Sequence, residues 1–237
     1  MLKLIKLESI KHKMTSYIKY STVISVIMLG ILYLFAYVPK IENDPELMIF
    51  LDYPHFIVMG SALNMFVFCT LSSIMASRLI IEAYFGEQAK LLFSYPICRK
   101  KILFAKLLYV FTLTAIAFTL SNLLIFSVFG LSDLYFSFME LSFTVEMFIS
   151  VITNTLMMAV IMPMLGIVAV GVGFIKKSVP VTILSAVILS SIFCNIIFNV
   201  IGVKWGFAII LIFMLLTVIA AIITIASLKK RVEVMEV

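Results

Sequence analysis

The chain alternates between long apolar stretches and short charged segments. Six of the apolar stretches contain no Lys, Arg, Asp or Glu, and each meets or exceeds the ~20 residues that a helix needs to cross ~30 Å of hydrocarbon. The pattern therefore predicts an all-α integral membrane protein with six transmembrane helices. Their approximate ranges are 20–39, 56–77, 107–132, 147–175, 178–203 and 205–228.

The composition agrees with this assignment. Of the 237 residues, 64% are hydrophobic and 13% are charged. A soluble domain of this composition would expose large apolar patches to water. We therefore treat residues 1–237 as a single transmembrane domain.

The charges indicate how the chain lies across the membrane. Short segments rich in Lys and Arg stay in the cytoplasm, and only Lys40 and Lys204 fall outside the segments that this rule places inside. Both termini are therefore predicted to be cytoplasmic, in a multi-pass protein of the bacterial cell membrane. The acids predicted on the external side or at its interface are Glu42, Asp44, Glu46, Asp52, Asp133, Glu140 and Glu146. A net charge of +6 on such a molecule indicates contact with anionic membrane lipid and with acidic cytoplasmic partners, not with nucleic acid.

The first nineteen residues form a segment of their own. Leu4, Leu7, Ile10, Met14 and Tyr17 recur at helical spacing. This spacing predicts an amphipathic interfacial helix over 1–19 that lies on the inner membrane surface. The alternative is a simple positively charged anchor for the first span.

Enzyme chemistry has little support in this sequence. Two histidines and three cysteines do not combine into a metal-ligand spacing or a disulfide framework. No G-x-x-x-x-G-K-[ST] loop occurs, so the chain by itself does not resemble a P-loop ATPase. The spans carry no charge, which disfavours an ion-driven carrier. We predict no catalytic, cofactor-binding or metal-binding residues, and expect another polypeptide to supply the energy for any transport.

The segment between the second and third spans departs from the general membrane pattern. Phe85, Ala89 and Leu92 share one helical face, and Pro96 ends the helix because it disfavours helical geometry at Tyr95. The range 82–101 is therefore predicted to contain a short amphipathic cytoplasmic helix followed by basic residues. It is either an interfacial helix in a solvated loop or a docking surface for a partner.

This segment resembles the coupling-helix region of the ABC type-2 permeases. The matching positions are Glu82, Gly86-Glu87, Leu91-Leu92, the run from Ser94 to Arg99, and Lys106. The resemblance extends to the six-span layout, the amphipathic N-terminal helix and the length. The sequence departs from the family pattern where Glu87 replaces a Thr and Cys98 replaces a Ser.

The resemblance implies a permease half that pairs with a second copy or a close relative. Cytoplasmic ABC ATPase subunits would bind beneath the pair, and the ATP and Mg²⁺ would lie wholly in those subunits. Each coupling helix would sit in a cleft on an ATPase, so that closure of the ATPase dimer moves the spans as rigid units. The candidate ATPase-coupling residues are Glu82, Phe85, Glu87, Leu91, Leu92, Tyr95, Pro96 and Arg99.

The substrate is less constrained. The chain resembles exporters of antimicrobial or cytolytic peptides and the immunity transporters that expel them. An acidic external face and an uncharged interior are compatible with an amphipathic cationic peptide. Export of lipid, polysaccharide or small drugs, a non-transporting membrane sensor or immunity protein, and an ion-coupled carrier are the alternatives.

Polar residues within the spans offer candidates for a transport path. The family resemblance places the first, second and fifth spans near the axis of a dimer, with the path between the two copies. Asn64 and Asn195 are the candidate path-lining residues. Either could equally make a hydrogen bond between helices.

Overall fold

The computed structural model describes residues 14–42, 52–85, 99–136, 139, 144–200 and 205–234. Within those ranges it contains six long helices and no strand. All six are long and apolar enough to cross a membrane, which confirms the predicted fold class. The helices are α1 (Met14–Glu42), α2 (Tyr53–Phe85), α3 (Arg99–Phe136), α4 (Val145–Lys176), α5 (Val179–Val200) and α6 (Gly206–Val234).

The helices are longer than most of the apolar stretches that predicted them. α2 continues past residue 77 to Phe85, and α3 begins at Arg99 instead of 107. The predicted ranges stop at the first charged residue, whereas a helix continues for as long as its backbone hydrogen bonding does. The helices therefore extend past the predicted ranges. Of the amphipathic helix predicted over 1–19, residues 1–13 lie outside the described residues, and residues 14–19 belong to α1. Of the coupling segment predicted over 82–101, residues 86–98 lie outside the described residues.

The α2 helix contains a π turn at Ser77–Ile81. At this turn the backbone N–H of Glu82 donates to the carbonyl of Ser77, five residues earlier, instead of to a carbonyl four residues earlier. An α-helical turn of Glu82–Phe85 follows. The π turn therefore separates the membrane-spanning part of α2 from its last turn.

A tight connection joins α4 to α5. Lys177 adopts the left-handed conformation with φ 54°, and the backbone N–H groups of Lys177 and Ser178 donate to the carbonyls of Phe174 and Gly173 at 3.3 and 3.1 Å. These bonds satisfy carbonyls at the end of α4. They allow α5 to begin at Val179 and to run back against α4.

The α2 and α4 helices form the centre of the protein. Their mutual interface is the most extensive, and α4 also contacts α3, α5 and α6. α1 packs mainly on α3 and contacts α2 only slightly. The periphery thus consists of α1 and α6, and most of their surfaces face away from the other described helices.

Three apolar clusters follow one another along the helices. One lies where α2 ends and α3 begins and includes Tyr84, Leu103, Phe174 and Val232; we refer to this end of the protein as the loop end. A second surrounds the middle of α2 and α4. A third lies at the opposite end, around Phe56, Phe129 and Val151. The packing therefore continues along the whole length of the bundle.

Candidate functional site

The candidate coupling region begins with two helical arms at the loop end. They are the residues of α2 from Arg78 to Phe85 and the residues of α3 from Arg99 to Lys106, which we call the α2 arm and the α3 arm. Each arm extends about 12 Å along its helix, at ~1.5 Å per residue, beyond the predicted apolar span. The residues predicted to form the coupling helix connect these arms in the sequence.

Three of the eight candidate coupling residues fall within the described ranges. Glu82 and Phe85 lie on the last turn of α2, and Arg99 is the first residue of α3. Glu82 is exposed and accessible to a partner. The other five lie outside the described residues and stay predictions: Glu87, Leu91, Leu92, Tyr95 and Pro96.

Phe85 occupies a different environment from the free docking face expected for it. Its ring packs at 4.9 Å, centroid to centroid, on the ring of Phe174 in α4, and the Lys177 amine lies 5.4 Å from its centroid. Phe85 is only half-buried, so part of the ring stays accessible. Its packing connects the α2 arm to the end of α4, a role that the sequence pattern did not indicate.

A buried lysine joins the two arms. The Lys106 amine of the α3 arm donates a 2.8 Å hydrogen bond to the carbonyl of Leu79, within the π turn of the α2 arm. Lys106 is 3% exposed and Leu79 is 1% exposed. The resemblance included Lys106 in its motif, but hydropathy placed it at the edge of the span and gave it no role.

Basic side chains gather at the loop end. Lys100 forms an ion pair with Glu233 of α6, and the Lys229 amine lies 5.1 Å from the ring centroid of Phe104. Such half-exposed contacts contribute little stability individually. They do join the α3 arm to α6, and they place basic groups of both helices at one end of the bundle. That this end faces the cytoplasm stays a prediction.

Asn64 belongs to a buried polar network that joins three helices. It donates to Asn122 of α3 at 3.1 Å, and Asn122 in turn donates to Ser61 of α2 at 3.1 Å and to Thr155 of α4 at 2.8 Å. Asn64 is 1% exposed. This burial and hydrogen bonding are typical of a contact between helices, and a path-lining role for Asn64 stays a prediction.

Asn195 has a different environment, because it is exposed on α5. The Asn199 side-chain amide donates to both its backbone carbonyl and its side-chain oxygen, at 2.8 and 3.0 Å. The exposed residues Leu184, Ile188 and Ile192 precede it at four-residue spacing or nearly so. Asn195 therefore lies on an outward-facing stripe of α5, where a path-lining role stays a prediction.

An apolar groove of about 560 Å³ lies between α1 and α3, with α2 as its floor. Phe68, Leu71 and Met75 come from α2, and Ser25 of α1 donates to Ser121 of α3 at 2.7 Å within the groove. The surface that lines the groove is mostly apolar, although some of its residues carry a hydroxyl group. The groove was not predicted, because helical spacing within one span does not reveal a gap between two spans.

At the opposite end, one of the described acidic side chains, Asp133, is less available than the sequence suggested. Asp133 is buried, accepts a hydrogen bond from the Tyr53 hydroxyl, and accepts one from the backbone N–H of Met139 at 3.0 Å. Asp52 Oδ2 lies 2.6 Å from His55 Nδ1. Asp133 therefore fixes the end of α3 instead of contributing to an exposed acidic face.

Residues that could support metal or thiol chemistry are sparse in the described part of the chain. Within it, no group of three His, Cys, Asp or Glu side chains is arranged to hold a metal ion. Cys69 and Cys194 are both buried free thiols, and the Cys194 thiol donates to the carbonyl of Ala62 at 3.3 Å. Their contacts are those of helix packing.

The fold defines a class: an all-helical protein, in its described residues, with six helices that are long and apolar enough to cross a membrane. The chain belongs to the family described as ABC-2 family transporter protein, whose model matches residues 4–190. It is therefore a membrane component of an ABC transporter, and family membership implies partnership with an ABC ATPase subunit.

One relative and the solved structures complete the comparison. The chain is 29% identical over 186 residues to the uncharacterized protein YcbO of Bacillus subtilis strain 168, an alignment that covers 78% of this chain and 80% of YcbO. No solved structure matches the chain.

Proposed function

We propose that this chain is the permease subunit of an ATP-driven exporter, that it works with a separate ATPase subunit, and that its substrate is an amphipathic or antimicrobial peptide. Membership of the ABC-2 family carries the permease assignment. The protein acts in the bacterial cell membrane with its termini in the cytoplasm, as a dimer of two copies or of one copy and a close relative. Two structural features support the remaining parts of the proposal.

The first feature is the pair of helical arms. Both arms extend beyond the apolar spans, and Glu82 at the end of the α2 arm is exposed. An ATPase docked on the segment between the arms would therefore act on α2 and α3 directly. The α2 arm contacts α4 through Phe85 and Phe174, so a displacement would also reach the centre of the bundle.

The second feature is the groove between α1 and α3. Its volume of about 560 Å³ falls in the range of ~300 to 1,000 Å³ typical of small-ligand sites. Its lining matches the apolar face of an amphipathic molecule, and the stripe of α5 that carries Asn195 offers a second surface. The same apolar lining also favours a lipid as an alternative substrate.

The docking part is tested by charge reversal at Glu82, which is exposed and can be changed without disturbing the packing. The matched control is Glu146→Lys, at an exposed acid in the first turn of α4 at the opposite end. The tagged permease is purified from its native membrane, and the copurifying protein with a P-loop and an ABC signature is quantified together with its ATP hydrolysis.

We expect the parent chain and Glu146→Lys to retain the ATPase, and Glu82→Lys to lose at least part of it. Leu92→Asp should release it more completely, since a charge would enter an apolar docking surface. ATP hydrolysis by the pure permease alone, or equal ATPase recovery with all variants, would contradict the proposal. The substrate is then sought by comparing the survival of cells with and without the permease when they are exposed to cationic peptides.

A further inference from the structure

The hydrogen bond between Lys106 and Leu79 is unusual because it involves a buried lysine side chain. Lysine side chains are almost never fully buried unless they are paired, and Lys106 is 3% exposed. Its amine donates at 2.8 Å to a backbone carbonyl of another helix. That carbonyl lies in a π turn, a feature that occurs mostly as single turns and frequently at functional sites.

The surroundings of this bond strengthen it. Leu79 and Ile80 of the π turn and Leu103 of the α3 arm belong to the apolar cluster at the loop end. The α4 helix contributes Phe174 to this cluster, and α6 contributes Val232. Hydrogen bonds from a charged donor are stronger than neutral ones, and a low local dielectric strengthens them further. Breaking this one would leave a buried ammonium group without that acceptor.

We propose that Lys106 is a positioning residue that holds the α2 arm and the α3 arm together, so that a displacement of the segment between them moves both helices as one body. This inference rests on the proposed function for its consequence, since the ATPase would supply the displacement. The bond itself is a property of the permease alone.

The π turn explains why such a clamp is needed. Conversion of the turn to ordinary α-helical spacing would rotate every later residue of α2 by about 100°, the angle between successive residues of an α-helix. Glu82 and Phe85 would then leave their present faces, and the contact between Phe85 and Phe174 would be lost. The bond from Lys106 to Leu79 opposes that conversion because it fixes a carbonyl inside the turn.

The test measures the separation of the two arms. Spin labels are attached at Arg78 and Lys101, one on each arm, which are both exposed and are not candidate coupling residues, in a background without Cys69, Cys98 and Cys194. We expect a single narrow distance distribution in the parent permease. Its mean should shift by less than one helical rise, ~1.5 Å, between the nucleotide-free complex and the complex trapped with ATP and vanadate.

Variants then isolate the amine. In Lys106→Met we expect the distribution to broaden or to split into two populations, because the side chain keeps its length but loses its donor. Lys106→Arg should restore the narrow distribution. Lys176→Met, which removes an ammonium group from an exposed position at the end of α4, is the matched control and should leave it unchanged.

The outcomes separate this inference from the proposed function. Failure of any ATPase to copurify with the unlabelled parent would refute the proposed function, and the variant comparison on the permease alone would still decide the role of Lys106. A narrow, unshifted distribution in Lys106→Met, or a broad one in Lys106→Arg, overturns the clamp. If Lys106→Met does not fold, the nucleotide comparison in the parent decides: arms that separate on trapping would overturn it.

Discussion

The α4 and α6 helices contrast sharply. The most apolar stretch of α6 is more hydrophobic than that of α4, yet only 6% of it is buried inside the protein, against 67% for the stretch of α4. In a soluble protein the order would be reversed, since hydrophobic residues drive burial. In a membrane, lipid tails are as apolar as leucine, so hydrophobicity gives no reason for one helix to pack on another. Burial there follows from shape and polar contacts.

The residues of α4 show what replaces hydrophobicity. Gly166, Gly171 and Gly173 lie on its buried faces, each close to a side chain of a neighbouring helix. A methyl group placed at Gly166 would lie 3.0 Å from Ser72 Oγ. Small residues let helices approach closely, which increases van der Waals contact. α4 is thus central because its small residues let the neighbouring helices approach closely. Thr155 adds a hydrogen bond, which it accepts from Asn122 of α3.

The α6 helix contacts the bundle along one narrow stripe. Its buried hydrophobic residues are Ala221, Leu228 and Val232, and Thr224 lies between them against Gly171 of α4. Ile212, Leu215, Ile219 and Ile223 are exposed. Only one stripe of α6 therefore packs against the other helices, and the remainder of its surface faces outward.

The largest expected difference between the two helices concerns large apolar side chains. Met162 of α4 is completely buried, whereas Ile223 of α6 is 63% exposed. Met162→Ala should lower the free energy of unfolding by ~2–5 kcal/mol, because a cavity forms in the core. Ile223→Ala is the control and should change it by less than ~0.5 kcal/mol. Reversible unfolding in mixed micelles measures both changes in the free energy of unfolding. If the two variants lost equal amounts, the outward face of α6 would have to be packed against protein, which would contradict the comparison.

The next effect concerns the small residues of α4. A side chain at Gly173 would meet the Thr182 side chain and approach Ile81 Cδ1 at 3.0 Å. Gly173→Val should therefore cost about 1–3 kcal/mol through overpacking. Val172→Leu changes the neighbouring, exposed position and should be nearly neutral. Thermal unfolding in detergent compares them, and a stable Gly173→Val variant would mean that α4 and α5 separate easily.

The smallest effect concerns the polar network. Asn122 holds Asn64, Ser61 and Thr155 together, so Asn122→Leu should cost about 0.6 to 2 kcal/mol, the usual value of a polar contact between membrane helices. Asn199→Leu removes an exposed amide of α5 and is the matched control. The same micelle unfolding assay applies. A stabilised Asn122→Leu variant would indicate that the network is retained for function instead of stability.

Hydropathy and charge were sufficient to predict the elements. Six uncharged stretches predicted six helices, because any long apolar run must satisfy its backbone hydrogen bonds internally in lipid. The family was also accessible, through the run from Glu82 to Lys106. Asn64 was recognised as notable, but its partner Asn122 could not be assigned, since a residue on one helix does not specify which helix lies beside it.

The sequence by itself determined the number of spans, the segregation of charge and the membership of a permease family. Each of these depends on local composition or on a short run of residues. The tertiary structure decided that α4 is central and α6 peripheral, that Phe85 packs on Phe174, and that Lys106 reaches the π turn of α2. These features depend on which helices meet and at what distance, and in a membrane that is set by the shapes and hydrogen bonds of facing surfaces, which hydrophobicity does not encode.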